Sequence, residues 1–371
     1  MSVIHSTLAA KPVQVLVGSR DQVVTPATMR TAMQNSRHVV LARQPQGQPV
    51  PADFAVQART LPDLPAGRVR VEVLYATANP GSRNRLSGQA SYARGMALGE
   101  TMEGPAVGRI VQSRNPDFQA GELVSGPFGW AEHVQVSGRG LRRVPADTPS
   151  VSAWAGILSI PGLTGYFGLR DTGAAKAGET VLISSAAGPV GATAGQIARL
   201  MGCRVIGIAS GAQKLRWLRE VAGFDAVVDR AGAATADDLA ARIAAAAPDG
   251  VDLYFDNVGG PLLDAAIANL RLKGRIVISG QISDYNTAPE QRYGTRRVDS
   301  FISKRLRMEG LVVFDFADRF DEATTAMTGW IRDGRLKFKE HIVDGLEALP
   351  ALFCAQMRGE IFGRALARLA S

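Results

Sequence analysis

Residues 181–195 read VLISSAAGPVGATAG, an apolar run that turns into three glycines, Gly188, Gly191 and Gly195. Gly188 and Gly191 lack a Cβ, so the main chain there can come close to a phosphate. Pro189 suits the first position of a helix. A helix opening at Pro189 and Val190 would turn its N–H groups and positive potential toward an anion. The spacing is G-x-x-G-x-x-x-G, not the G-x-G-x-x-G dinucleotide fingerprint. Alone it fits a plain strand-to-helix turn as well as a pyrophosphate cradle. The end of the next strand, IASGAQK, refines it. No Asp or Glu stands there to hold a ribose 2′-hydroxyl. Ser210, Lys214 and Arg230 instead offer donors and positive charge where a 2′-phosphate would lie. Together these residues favour NADPH over NADH. A metal centre is not expected. Cys203 and Cys354 are the two cysteines among only four histidines, and no pair has ligand spacing.

Such residues need strand ends to hold them. From about Val181 the pattern alternates, with VLIS, CRVIGIA, AVVD, VDLYFDNV, GRIVISG and GLVVFDF read as strands. Helices are expected from Pro189, over GAQKLRWLREVAG and over ATADDLAARIAAAA. This predicts an α/β architecture, a doubly wound parallel sheet with helices on both faces. Ligands of such sheets bind beyond the carboxyl ends of the strands, near the switch point. SSAAGPVG, DNVGG, SGQISDYN and FDF each follow a strand and should meet at one edge. Between about Arg37 and Pro145 the pattern is different, with short strands such as VRVEVLYATA (69–78) and AVGRIVQSR (106–114) separated by turns. KEHIVDG, ALPALFCAQM and GRALARL, from about Lys337, return to it. A β-rich domain of 33–155 and 337–371 is therefore expected around a Rossmann domain of 156–336. Residues 1–32 hold no apolar core long enough for a signal peptide. They are read as an extension, disordered or not native, with the natural start at Met33.

At 371 residues, 46% apolar and 20% charged, the chain has the composition of a soluble globular protein of two domains. The net charge of +8 comes from scattered Lys and Arg with few aromatics, so no nucleic-acid partner is expected. The densest basic cluster, Thr295 to Arg307, reads as a solvated face. Two scattered cysteines point to a reducing, cytoplasmic setting. Thr148 to Leu169 is uncharged and long enough for a bilayer. Pro161 and four glycines interrupt it, so a buried helix, a turn and a second helix are expected there, and no membrane partner.

With these residues in view, the chain resembles the zinc-independent medium-chain dehydrogenases/reductases. The group is that of leukotriene B4 dehydrogenase/prostaglandin reductase and the curcumin reductase-like double-bond reductases. GETMEGPAVGRIV, GELVSGPFGWAEH, IPGLTGYFGL, the VLISSAAGPVGATAG turn, YFDNVGG, GRIVISGQISDYN and KRLRMEGLVVFDF carry the resemblance, which runs from about Arg37 to Leu369. It implies a GroES-like catalytic domain beside the Rossmann domain, and a homodimer. It also implies NADPH-dependent hydride transfer to the C=C bond of small α,β-unsaturated ketones or aldehydes. Gly188, Pro189, Val190 and Gly191 would face the pyrophosphate and Lys214 the 2′-phosphate. Asn257 and the loop Ser279, Gly280 to Tyr285 would lie near the nicotinamide. Leu311, Val312 and Val313 would pass its carboxamide.

Three positions depart from the group's pattern. Asp229-Arg230 replaces an Asn-Tyr pair, and Arg230 can take the tyrosine's place at the 2′-phosphate. Asn79-Pro80-Gly81-Ser82-Arg83 replaces D-P-Y-M-R, so the loss of a ring at Gly81 should widen the pocket. Ile361 stands where a cofactor-contacting Asn is usual. Tyr285 is the catalytic candidate, as hydrogen-bond donor to the carbonyl oxygen on which charge develops. The alternatives are a loop tyrosine that packs on the cofactor, quinone reduction on the same fold, or NADPH binding without turnover.

Overall fold

The computed structural model describes residues 34–86 and 94–370, so the expected extension at 1–32 lies outside the described residues. β1 (Gln34–Leu41) and β2 (Phe54–Leu61) form an antiparallel pair. β3 (Arg68–Thr77) is the spine of a larger sheet, and the helical turn α1 (Arg83–Leu86) follows it. β4 (Ala106–Ser113), β5 (Leu123–Gly126), β6 (His133–Ser137) and the short β7 (Arg142–Arg143) complete the first run of strands. Val69, Val71 and Val73 of β3 are fully buried, as alternation requires, but Arg70 on the other face is buried too. Its guanidinium donates to the Pro62 carbonyl at 2.8 Å, which lets the spine be covered on both sides.

The uncharged stretch 148–169 differs from the expected helix pair. Its first part is a 3-10 turn, Ser152–Trp154, before α2 (Ile160–Phe167), whose backbone continues as a wider turn over Gly168–Thr172. The Ser150 and Ser152 hydroxyls hydrogen-bond each other, and Ser152 also donates to Glu340, a local alternative to a regular helix. No helix among the described residues is long and apolar enough to cross a membrane.

Next come β8 (Thr180–Ile183), α3 (Pro189–Leu200), β9 (Arg204–Ala209), α4 (Ala212–Glu220), β10 (Ala226–Asp229) and α5 (Ala236–Ala246). They are followed by β11 (Val251–Asp256), α6 (Gly260–Asn269), β12 (Leu270–Ile278), α7 (Asp299–Ser303) and β13 (Arg307–Gly310). Among the described residues these strands make a six-stranded sheet, parallel throughout, in the order β10-β9-β8-β11-β12-β13. The order reverses between β8 and β11, which opens a crevice at their carboxyl ends. Val181, Ile183, Leu253 and Phe255 point into one apolar layer, and Leu182, Ile206 and Tyr254 into the other. A Cβ on Gly195 would lie 2.0 Å from the Phe224 ring, so this glycine seats the ring between α3 and β9.

GLVVFDF is not the strand expected. β13 is the preceding RMEG, and Leu311 N–H makes the last rung, to Ile278 O at 3.0 Å. Beyond it β12 has ended, and the chain enters a 3-10 stretch, Val313–Arg319, in which Phe316 stacks on Phe167 at 4.9 Å. Val313 and Phe316 of this stretch serve packing instead of pairing, while Phe314 is exposed.

After α8 (Phe320–Arg332) the chain returns to the first sheet with β14 (Glu340–Asp344), α9 (Leu349–Met357) and β15 (Arg364–Arg368). β15 pairs with β3, so that sheet is built from both ends of the chain. Phe353 of α9 meets Phe54 and Trp130 at ring distances of 5.8 and 5.9 Å, closing the core. Gln196, buried on α3, ties the return: it donates to Lys337 O at 2.8 Å and accepts from Lys337 N–H at 2.7 Å.

Candidate active site

A cleft of about 500 Å³ lies at the carboxyl edge of the parallel sheet. It is lined by the glycine turn, Asn257, Ser279, Gly280, Tyr285 and Leu311 to Phe314, and from the β-rich side by Asn79 to Gly81, Gln356 and Arg364. The four strand-following segments thus meet at one edge, with the last reached by a loop and not by a strand end.

Gly188 caps α3 in an extended conformation and Pro189 takes the first helical position. No side chain caps this end, so the N–H groups of Val190 and Gly191 are left toward the cleft. Gly191 has a further task. A Cβ there would lie 2.6 Å from Ser185 O and 2.9 Å from Ala186 Cα, so the helix can sit on its own turn only without one. Asn257 braces the same turn, its Nδ2 donating to Ser184 O at 2.8 Å and its N–H to Ser184 Oγ at 2.8 Å.

Beneath lies Asp256, which the sequence pattern did not single out. This buried carboxylate accepts from Tyr254 OH, Ser184 Oγ and the N–H groups of Val258 and Gly259, at 2.8 to 3.1 Å. Burial pushes its pKa up, and the bonds from Gly259, Val258, Tyr254 and Ser184 pull against that. Its sequence signal was an acid at a strand end just before two glycines.

Ser210 and Arg230 follow the ends of β9 and β10 and Lys214 lies in the first turn of α4, all three outside the lining of the cleft itself. Arg230 Nε donates to Ser210 Oγ at 3.4 Å, and Lys214 Nζ to Gly359 O at 2.9 Å. Burial and then the Arg230 charge lower the Lys214 pKa. Two cations held side by side in this way suit a doubly charged anion.

Tyr285 follows a 3-10 turn, Ile282–Asp284, and packs against the β-rich core. A Cβ on Gly280 would lie 3.2 Å from its hydroxyl, so Gly280 leaves room for that group. The next residue fixes the loop. Arg83 Nε donates to Asn286 Oδ1 at 2.8 Å, and Arg83 Nη2 to Gly47 O at 2.8 Å. Arg83, noted only as part of an altered motif, therefore positions the loop that carries Tyr285. Gly81 has only the Asn79 side chain within 4 Å of a Cβ, which leaves open space where the ring is lost. Ile361 packs with the β-rich core instead of facing the cleft. Among the described residues no group of three or more His, Cys, Asp or Glu is placed to hold a metal ion.

Two family models match the chain: the N-terminal domain of oxidoreductase over residues 37–144, and zinc-binding dehydrogenase over 189–329. The NADPH-dependent curcumin reductase of Escherichia coli is 38% identical over 343 residues, 91% of this chain and 98% of the relative. Prostaglandin reductase 1 of Bos taurus is 37% identical over 87% of this chain and 95% of its own length. The crystal structure of CurA from Vibrio vulnificus in complex with NADPH superposes with a TM-score of 0.84. It is 34% identical, over 90% of this chain and 99% of the other. The chain is therefore a member of the medium-chain dehydrogenase/reductase family, in the zinc-independent group that includes the prostaglandin and curcumin reductases.

Proposed function

We propose that the protein is an NADPH-dependent reductase that delivers hydride to the C=C bond of small α,β-unsaturated ketones or aldehydes. One observation carries this. The Lys214–Arg230 pair, the uncapped N-terminus of α3 and Tyr285 follow one another along one edge of the parallel sheet, the order that 2′-phosphate, diphosphate and reacting end would require. The residues fit the cofactor, since the α3 N-terminus at the Gly188–Gly191 turn carries no side-chain cap and borders the cleft. A relative named for NADPH-dependent reduction of curcumin, another named a 2-alkenal reductase, and a solved neighbour holding NADPH support the same cofactor and reaction.

When bound, the reduced nicotinamide supplies the hydride taken by the substrate β-carbon. The Tyr285 hydroxyl donates a hydrogen bond to the carbonyl oxygen as negative charge grows there, and its place beside Gly280 keeps it within the cleft. Asn257, Ser279 and Leu311 to Val313 orient the reacting ring against the substrate. The space at Gly81 admits a broader substrate than a ring at that position would allow.

The assignment of 33–155 with 337–371 to the catalytic domain and 156–336 to the cofactor domain belongs to this reading, supported by the two sheets. So does a cytoplasmic homodimer. Both cysteines are buried and unpaired, as in a reducing setting. β13, which includes the exposed Met308, is an exposed edge strand flanked by the exposed Val298, Ile302 and Phe314.

The test is the loss of NADPH absorbance on mixing with a panel of enones, alkenals and quinones. Turnover of enones or alkenals is expected. Turnover of quinones alone, or tight NADPH binding with no turnover of any of them, would overturn the proposal.

A further inference from the structure

Two side-chain amides on the β-rich wall of the cleft take no part in holding the fold. Asn79 precedes the 3-10 turn Pro80–Ser82 in an extended conformation, the place of a capping residue, yet its side chain makes no capping hydrogen bond. It leans instead over the space at Gly81, where a Cβ would lie 3.6 Å from Asn79 Nδ2 and 3.8 Å from its Oδ1. Gln356 stands in the last turn of α9. Its Oε1 is buried with no hydrogen-bond partner among the described residues, although the residue as a whole is only partly buried and lines the cleft. Asn257, on the sheet side of the same cleft, shows the contrast, since its Nδ2 is held by Ser184 O.

The backbone brings the two amides to one wall. α9 packs against the Pro80–Ser82 turn, and Ala78 N–H donates to Ala365 O at 3.2 Å, which ties the chain before that turn to the strand after α9. The α3 N-terminus and the Lys214–Arg230 pair belong to the sheet side, so this wall is left to the substrate. An amide oxygen buried without a donor destabilises the chain. The group that relieves it must donate, which excludes a carbonyl or an ether. To accept from Asn79 Nδ2 as well, the group cannot be an ammonium. A hydroxyl meets both amides.

We propose that Asn79 and Gln356 select enones that carry a hydroxyl group remote from the C=C bond. Asn79 Nδ2 donates to the hydroxyl oxygen, and Gln356 Oε1 accepts its O–H. The proposal rests on the reductase reading above and narrows its substrate class. The space beside Gly81 is what lets the hydroxyl-bearing end of the substrate reach the pair.

The test is kcat/KM with NADPH for the full chain and for Asn79→Ala and Gln356→Met. The substrates are 4-cyclohexylbut-3-en-2-one, the same enone with a hydroxyl on ring carbon 3 or 4, and the methyl ethers of both alcohols. The saturated ring separates the hydroxyl from the enone electronically, so the ratio of hydroxylated to plain substrate reads recognition alone. At least one alcohol should exceed the plain enone by about three- to tenfold for each hydrogen bond made, and its methyl ether should not. Asn79→Ala and Gln356→Met should each lower that ratio by about three- to tenfold. NADPH affinity by calorimetry should stay within about twofold in both variants, less than the loss of one hydrogen bond. Should one variant fail to fold, the other decides by the same ratio. An active parent that reduces plain and hydroxylated enones alike would overturn the proposal and leave the reductase reading intact. So would a hydroxyl preference that survives both substitutions, or a loss of NADPH affinity in the variants, which would put the amides at the cofactor. A parent that reduces none of the enones would overturn both.

Discussion

At the scale of single residues, the site depends on a few polar groups whose neighbours set what they can do. Tyr285 stands beside Gly280 in a loop pinned by the Arg83–Asn286 bond. If it holds the developing oxyanion, Tyr285→Phe should slow single-turnover NADPH oxidation by about ten- to a thousandfold, the cost of one such donor. NADPH affinity should change little. Stopped-flow absorbance gives both numbers, and an unchanged rate would remove Tyr285 from the chemistry. Lys214 calls for the opposite pattern, because burial and Arg230 both disfavour its charge and an anion held between them would favour it. Lys214→Ala should weaken NADPH by about tenfold or more and leave NADH nearly unaffected, a split that titration with the two nucleotides reads directly.

At the scale of elements, packing dictates where the turn that faces the cofactor can lie. Gly195 makes room for Phe224, which a Cβ would approach to 2.0 Å. Gly195→Ala should destabilise the fold by about 1–3 kcal/mol, as overpacking of a tight contact does. Phe224→Leu in that background should recover part of the loss, measured as urea midpoints. The β1–β6 contact carries a separate dependence on acid. His38, on β1, bonds Thr101 at 3.1 Å and is held down to about 4, by burial first and then by the charge of Arg59. Its folded pKa lies below the unfolded value of about 6.5, so the unfolded chain takes up the proton first. Stability should therefore fall as pH drops from about 6.5 toward 4, and His38→Gln should flatten that slope. His133, also lowered by burial, leaves part of it in place. Denaturant midpoints across that range give the slope, and a profile unchanged by His38→Gln would exclude His38 as its source.

At the scale of the whole molecule, β13 is an edge of the parallel sheet with no strand beside it among the described residues. All four residues of β13 are exposed, next to Ile302 at 80% and Phe314 at 58% exposure. If two chains pair there, Ile302→Lys with Met308→Lys should give the mass of one chain by light scattering, where the parent gives two. Phe314 also lines the cleft, so separation of the chains should lower turnover as well. A parent protein that is already monomeric would end that account.

Local chemistry made much of this protein legible from its sequence. An alternating run announced β3, short apolar runs announced β8, β9 and β11, and a glycine-proline turn announced the start of α3, because each signal is written within a few residues. The same signals misplaced β13. An exposed edge strand such as RMEG has no apolar pattern, while the neighbouring LVVFDF has one because it packs on α2. What the tertiary structure decided is the company each group keeps. Arg83 with Asn286, Asp256 with Ser184 and Arg364 with the glycine turn join residues 72 to 203 positions apart. No spacing rule reaches that far. Those pairings exist because β15 returns to β3 and Gln196 holds the returning chain against α3, so that a buried charge from one end of the sequence lies at a helix terminus from its middle.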